Sequence, residues 1–317
     1  MCVAILGFGV EGKDALQYFL PRAEHIIVFD QKTEEELYLS AWKVEQGDSL
    51  YKKVGWVCGE NYLKDGLSGF DLIVRSPGIR PDLPEIQVAV KNGSSLTSVT
   101  KIFFDECKKL IIAVTGTKGK GTTATLIHKA LETAGKKSLL AGNIGESMLS
   151  LLKSTLKVDF VVLELSSFQT IDLHKSPHIA VVTNITSDHM DWHISQEEYE
   201  KAKEQLWANQ TKEDYLVINK DDKTSMELSK YASGTVETYD GINTNSQELK
   251  IPGKHNVYNA NAALLTIKLL GEDEKKAWSA VCSFKGLEHR LENVAEINEI
   301  AYINDSYATT PEPTIAA

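Results

Sequence analysis

Short apolar runs alternate with amphipathic stretches along most of the 317-residue chain. In the first part, residues 3–6, 25–29 and 71–74 read as strands, and Gly7, Gly9 and Gly12 gather in the turn after the first of them. Farther on, residues 110–114, 138–141, 160–163, 179–183 and 215–218 have the same character. Most of these runs are apolar throughout rather than alternating, as a sheet covered on both faces requires. Helix-period stretches separate them. Such alternation predicts an α/β fold with parallel sheets and right-handed crossovers. The segments divide at 1–95, 96–286 and 287–317. The last holds one strand-like run, 300–303, and is too short to bury a core of its own, so it reads as the opening of a further domain.

Charge and composition narrow the classes. The formal net charge is −10 with no long Lys/Arg block, which argues against a nucleic-acid partner. No apolar run approaches a membrane span, and the chain enters a strand directly, without the basic start of a signal peptide. Cys2, Cys58, Cys107 and Cys282 are scattered without metal-type spacing, so reduced thiols and a cytoplasmic location are expected.

The candidate chemistry sits in the turns. Gly116-Thr117-Lys118-Gly119-Lys120-Gly121-Thr122 joins a strand to a helix pattern. Unpaired backbone N–H groups, a helix N-terminus and the Lys120 charge make such a turn a cradle for a polyphosphate, ATP or GTP. Against the strict G-x-x-x-x-G-K-[ST], Val114 stands at the first glycine and Gly121 at the hydroxyl that usually holds Mg²⁺, with Thr122 as a substitute. Gly7-Phe8-Gly9-Val10-Glu11-Gly12 fits G-x-G-x-x-G, and Asp30 ends the next strand where a ribose-binding acid sits. NAD and a UDP-sugar both satisfy that turn, and so does a turn that uses glycine for packing alone.

Glu164 closes a buried strand, a place suited to a Mg²⁺ ligand beside a phosphate cradle. The loop Asp188-His189-Met190-Asp191-Trp192-His193 offers two acids and two histidines, as metal ligands or as ordinary caps. Ser195 and Glu198 form a capping box, and Lys203 falls on the apolar stripe of Tyr199, Ala202 and Leu206. Periodicity favours a lysine that snorkels to water over one with a task in a site. Asn256 and Asn259 are helix caps or base and ribose contacts, and Arg290 and Asp305 are surface groups or phosphate contacts.

Taken in chain order, the first Gly-rich turn, Ser76-Pro77-Gly78-Ile79, the loop ending in Lys120, Gly142-Asn143-Ile144-Gly145, Glu164-Leu165-Ser166-Ser167-Phe168-Gln169, Asp188-His189-Met190-Asp191, the 199–203 stretch, His255-Asn256, His289-Arg290 and Asn304-Asp305-Ser306 together resemble the Mur ligases. The likeness is greatest to their D-glutamate-adding branch. It implies a Rossmann-like N-terminal sheet domain that holds UDP-substrate, a larger P-loop-type α/β ATP-binding domain, and a third domain. The implied activity is ATP-dependent amide formation between UDP-N-acetylmuramoyl-L-alanine and D-glutamate in peptidoglycan synthesis, by a cytoplasmic monomer using two Mg²⁺ ions. By resemblance, Gly7, Gly9, Gly12, Asp30, Ser76, Asn143, Ser166 and Gln169 hold substrate. Residues Gly116, Thr117, Lys118, Gly119, Lys120, Gly121 and Thr122, with Asn256, Asn259, Arg290 and Asp305, surround ATP. Lys120, Glu164, His189 and Lys203 are the implied catalytic set; Glu164 and His189 bind metal, as does Lys203 once carbamylated.

Three departures stand out. Gly121 and Tyr307 replace the hydroxyl residue and the lysine frequent in the family, and most of a third domain is missing. The chain is therefore expected to bind UDP-substrate and turn over poorly. Rival readings are a folylpolyglutamate synthetase-like ligase, an NAD-dependent oxidoreductase and a non-catalytic nucleotide-binding module.

Overall fold

The structure is a computed structural model that describes residues 1–46, 53–242, 248–290, 292–298 and 300–306. Its contacts separate into two compact units. The first takes in residues 1–108, 145–156 and 167–175, and the second 109–144, 157–166 and 176–317.

In the first unit, β1 (Cys2–Leu6), β2 (His25–Asp30), β3 (Val54–Cys58), β4 (Leu72–Arg75) and β5 (Ser95–Ser98) form one parallel sheet in the order β3-β2-β1-β4-β5. Ile5 lies opposite both Val28 and Val74, so the apolar centres of three strands are in register. The winding reverses between β1 and β4, and ligands of open α/β sheets bind at the carboxyl ends beside such a reversal. Ala4, Leu6, Phe29 and Ile73 pack with Leu63, Leu67, Ile86 and Ala89 on one face.

Polar contacts tie the two later segments to this unit. Asp14 Oδ2, on the helix Val10–Phe19, accepts from Leu149 N at 2.7 Å and Ser147 Oγ at 2.5 Å, which caps the helix Met148–Thr155 from outside. Arg75 is 1% exposed. Its guanidinium pairs with Asp172 and donates to Phe168 O at 3.0 Å and Ile79 O at 3.2 Å. Neither residue stands out by sequence, because each looks like an ordinary polar position at an element's edge.

In the second unit, β6 (Leu110–Thr115), β7 (Ser138–Gly142), β8 (Phe160–Glu164), β9 (Ile179–Val182), β10 (Tyr215–Asn219) and β11 (Thr235–Tyr239) form a parallel sheet in the order β11-β10-β9-β6-β8-β7. The chain reverses its winding about β6, which lies between β8 and β9. The helices Lys120–Thr133 and Lys254–Leu269 cover the sheet through Leu126, Ile127, Leu131, Ala260, Ala263 and Ile267.

Three sheet-edge strands, β3, β5 and β11, are absent from the sequence reading, and the run at 300–303 proves to be half of an antiparallel hairpin, β12 (Glu292–Ile297) with β13 (Ile300–Asn304). Tyr307 and the run 311–317 lie outside the described residues. Among the described residues no helix is long and apolar enough to cross a membrane.

Candidate active site

The loop after β6 is the most densely braced part of the second unit. Its last residue before the helix, Gly119, has φ of +87°, and the helix begins at Lys120, earlier than its apolar pattern suggests. Gly116 is required by its surroundings: φ is +141°, and a Cβ there would lie 2.0 Å from Thr183 Oγ1. Thr117 N donates to Asn184 O at 2.7 Å. Lys118 N donates to Asn184 Oδ1 at 3.0 Å, and Asn184 Nδ2 returns a bond to Lys118 O at 2.9 Å. Thr183 Oγ1 also donates to Lys118 O at 2.6 Å. The residues just after β9 thus hold the loop's shape. Sequence reasoning passed over Thr183 and Asn184 as a strand end; two polar residues closing an apolar strand were the available signal.

Two lysine amines converge on one carbonyl. Lys120 Nζ donates to Gly116 O at 2.9 Å and to Thr117 O at 3.0 Å, and Lys203 Nζ donates to the same Gly116 O at 2.9 Å. Lys203 is 1% exposed, and its amine lies 4.5 Å from the Tyr199 ring centroid. The expectation of a snorkelling lysine is overturned: the helix Gln196–Glu204, capped by Ser195 on Glu198 N, turns this side chain inward. Burial pulls the Lys203 amine well below the usual lysine range, and the neighbouring Lys120 charge adds to the effect. Burial also lowers Lys120, with Arg290 acting in the same sense and Glu164 against it. Arg290 therefore acts electrostatically on Lys120; Asp305 lies half-buried beyond β13.

Tyr199 belongs to the same bracing. Its hydroxyl is 2.9 Å from Thr117 Oγ1, which in turn accepts from Thr186 N. His193, fully buried, stacks edge-on against Tyr199 and places Nδ1 3.3 Å from Glu198 Oε2. His189 sits apart from it, with a positive φ of 55° and a half-exposed ring. Asp188 lies between His189 and Lys118; burial works against its charge, yet those two neighbours hold its carboxyl below the ordinary value.

Glu164 is 2% exposed at the end of β8. Oε1 accepts from Asn143 Nδ2 at 3.3 Å, whereas Oε2 is buried and has no hydrogen-bond partner. That unsatisfied anionic oxygen lies 3.0 Å from where a Cβ of Gly121 would stand. The carboxylate thus occupies the approach that a hydroxyl residue would share, and a divalent cation suits the unpaired oxygen. Thr122 is half-buried on the next position. Among the described residues no group of three or more His, Cys, Asp or Glu side chains forms a ready metal cluster. Asn259 backs onto the loop: its Oδ1 accepts from Thr123 Oγ1 at 3.2 Å, and its Nδ2 donates to Asn256 Oδ1 at 3.1 Å. Asn256 donates to Pro252 O at 2.6 Å, so both amides are engaged in bracing rather than in a side-chain cap of their helix.

The first unit carries the other Gly-rich turn. A Cβ at Gly12 would lie 1.9 Å from Gly7 O, so only glycine lets the helix meet the strand there, whereas a Cβ at Gly9 would meet nothing within 4 Å. Ser76 Oγ donates to Gly7 O at 3.1 Å. Asp30 accepts from Phe8 N at 2.6 Å and Lys32 N at 2.8 Å, and Phe8 packs edge-on against Trp42 and Trp56. The acid read as a ribose contact thus already holds the turn. Gln169 Nε2 donates to Glu11 Oε1 at 2.7 Å in the same unit. Ser166 lies half-buried in the second unit, two residues beyond Glu164.

The Mur ligase middle domain matches residues 114–248, and the MurD-like N-terminal domain of Mur ligases matches residues 1–98. The UDP-N-acetylmuramoylalanine–D-glutamate ligase of Ruminiclostridium cellulolyticum is 37% identical, over 99% of this chain and 71% of its own length. The enzyme of the same name from Acetivibrio thermocellus is 38% identical over the same shares. In fold, the chain is similar to the UDP-N-acetylmuramate–alanine ligase of Thermotoga maritima, with a TM-score of 0.59 and 22% identity, covering 100% of this chain and 76% of that one.

Proposed function

The chain belongs to the Mur ligase family, and from that premise we propose that it is the ATP-dependent amide ligase that joins D-glutamate to UDP-N-acetylmuramoyl-L-alanine in peptidoglycan synthesis. The observation that carries the proposal is the loop after β6, where the Lys120 and Lys203 amines meet at Gly116 O near the unpaired oxygen of Glu164. Domain roles follow the segments 1–95 for UDP-substrate, 96–286 for ATP and 287–317 for the start of a third domain.

The reaction must bring two anions together, because the substrate carboxylate attacks the γ-phosphate of ATP. Lys120 offsets that repulsion at the β/γ-phosphates, and backbone N–H groups at the start of the helix Lys120–Thr133 cradle the chain of phosphates, those of Thr117 and Lys118 being held by Asn184. ATP and Mg²⁺ accord with the family. Glu164 would hold the first Mg²⁺, with Thr122 beside it, and the ion would supply charge neutralisation at the transferring phosphoryl group. His189 and Lys203 are proposed for a second ion. A lysine amine is no cation ligand; carbamylation by CO₂, which needs the neutral amine, would convert Lys203 into an oxygen donor. The lowered basicity of Lys203 supports that step. Displacement of ADP gives an acyl phosphate, the amine of D-glutamate attacks the acyl carbon, phosphate leaves, and an amide remains. Asn256, Asn259, Arg290 and Asp305 are proposed around ATP. The turn at Gly7, Gly9 and Gly12, with Asp30 and Ser76, is proposed for the UDP end, and Asn143, Ser166 and Gln169 for the muramoyl portion.

A cytoplasmic monomer is proposed. The test is calorimetric titration of the chain with UDP-N-acetylmuramoyl-L-alanine, with Mg-ATP and with NADH. Binding of the first two supports the proposal. Binding of NADH alone supports an oxidoreductase and overturns it.

A further inference from the structure

Resting on the assignment of Ser76 and Gln169 to the two ends of a UDP-linked substrate, we propose that Arg75 is a positioning residue of that site: one buried guanidinium holds the turn at the UDP end and the segment at the muramoyl end at a fixed spacing. Arg75 closes β4, at the carboxyl end of a strand beside which the winding of the sheet reverses. All of its partners belong to the first unit. Nη1 donates to Ile79 O at 3.2 Å, which fixes the far end of the turn that Ser76 begins. Ser76 Oγ in turn donates to Gly7 O. Nη2 donates to Phe168 O at 3.0 Å, one residue before Gln169, and Gln169 Nε2 donates to Glu11 Oε1 on the helix Val10–Phe19. The contacts therefore close a ring that returns to the Gly-rich turn. Asp172 completes the arrangement, accepting from Nε at 3.1 Å and from Nη2.

Stability alone gives no reason for a guanidinium in this place. A buried ion pair is costly to desolvate, and well-packed apolar side chains of similar volume commonly serve a fold equally well. What they do not supply is the fork. The guanidinium N–H groups point in fixed directions in one plane, so Ile79 O, Phe168 O and the Asp172 carboxylate are held at set angles to one another. A lysine keeps the charge but presents a compact ammonium without that pattern of donors. Lys101 illustrates the difference: its amine lies 3.9 Å from Asp172 Oδ2 and donates to Leu96 O, touching neither carbonyl that Arg75 holds. A ligand that spans both segments gains from a spacing set before it arrives, because ordering them on binding costs affinity. A ligand that touches the turn alone does not sense that spacing.

The experiment titrates the whole chain calorimetrically with UDP-N-acetylmuramoyl-L-alanine and with UDP, Mg-ADP being present to keep UDP out of the loop after β6. Arg75→Lys, and Arg75→Met combined with Asp172→Ala, remove the fork without stranding a buried charge, and urea unfolding checks that both are folded. Each is expected to bind the full substrate about tenfold more weakly than wild type and UDP within about twofold of it. Wild-type affinity for the full substrate in either variant, the result of a purely structural role, or an equal loss for both ligands overturns the role given to Arg75. Wild type supplies a measurement that needs no variant. Amide hydrogen exchange at residues 168–172 is expected to slow with the full substrate and not with UDP; slowing by UDP alone, or none while the full substrate is bound, also overturns the role. Complete absence of full-substrate binding by wild type overturns the substrate assignment itself, and the two failures are therefore distinct.

Discussion

Replacing Gly116 by alanine tests whether the loop after β6 owes its shape to one tight contact. The added Cβ would stand 2.0 Å from Thr183 Oγ1 and 3.0 Å from Asn184 O, at a backbone φ of +141°. Thr183 must move, which breaks its bonds to Lys118 O and Thr115 O. Losing such a bond costs roughly 0.5–1.5 kcal/mol, before any penalty for stranding a carbonyl. Holding a residue with a side chain at that φ costs of order 1–3 kcal/mol. The second unit is therefore expected to lose about 2–6 kcal/mol, at roughly 2–4 °C in Tm per kcal/mol. The functional consequence is larger, because Gly116 O is the shared acceptor of Lys120 and Lys203. The assay is thermal unfolding with and without Mg-ADP, together with titration by a fluorescent ATP analogue. Thr183→Ala alone loses the same two bonds without the φ cost, so adding Gly116→Ala to it is expected to cost little beyond the φ part. A single variant that melts within about 1 °C of wild type and binds nucleotide equally well would refute the reasoning.

Other outcomes follow from the same geometry. Lys203→Met is expected to stabilise the protein at pH 7 while removing ATP turnover: the folded amine binds a proton less readily than the unfolded one, so wild-type stability rises with pH up to the ordinary lysine range. Urea unfolding at pH 7 and pH 9.5 shows whether that slope diminishes in the variant. Glu164→Gln is expected to weaken the Mg²⁺-dependent part of nucleotide binding at least about tenfold, some 1.4 kcal/mol, and to leave metal-free nucleotide binding unchanged; equal loss with and without Mg²⁺ contradicts a metal role. Asp172→Ala leaves the buried Arg75 charge uncompensated and is expected to cost the first unit about 3–5 kcal/mol, read as a lower urea midpoint that Arg75→Met in the same chain partly restores.

The parts of the fold visible in the sequence were those whose burial is complete. The centres of β1, β2, β4, β6, β8, β9 and β10 are continuous apolar runs because neighbours and helices cover them, and β7, a half-covered edge strand, is the exception. At the sheet edges this signal weakens: β5 reads Ser-Leu-Thr-Ser and β11 reads Thr-Val-Glu-Thr-Tyr, each mixing polar with apolar positions. In the site, the glycines and Lys120 stood out by the spacing a phosphate cradle uses, and Glu164 by closing a buried strand. The fate of Lys203 was not. Periodicity placed it on the apolar stripe, but what turned its amine inward is a carbonyl 87 positions earlier in the chain. Asp30 shows the converse, since a position suited to ribose is also one from which a carboxylate can hold the turn's own backbone.

The first unit is discontinuous in the chain, and this bears on the order of events during synthesis. Its five strands are complete by residue 98, yet its Arg75 cannot meet Asp172, nor Asp14 its capped helix, until residues 145–175 have emerged. At about 5–20 residues per second, the ribosome takes several seconds to supply them. Throughout that interval a buried-to-be guanidinium lies in water, and the nascent sheet waits for its last pieces while the neighbouring unit's first strands are already being made.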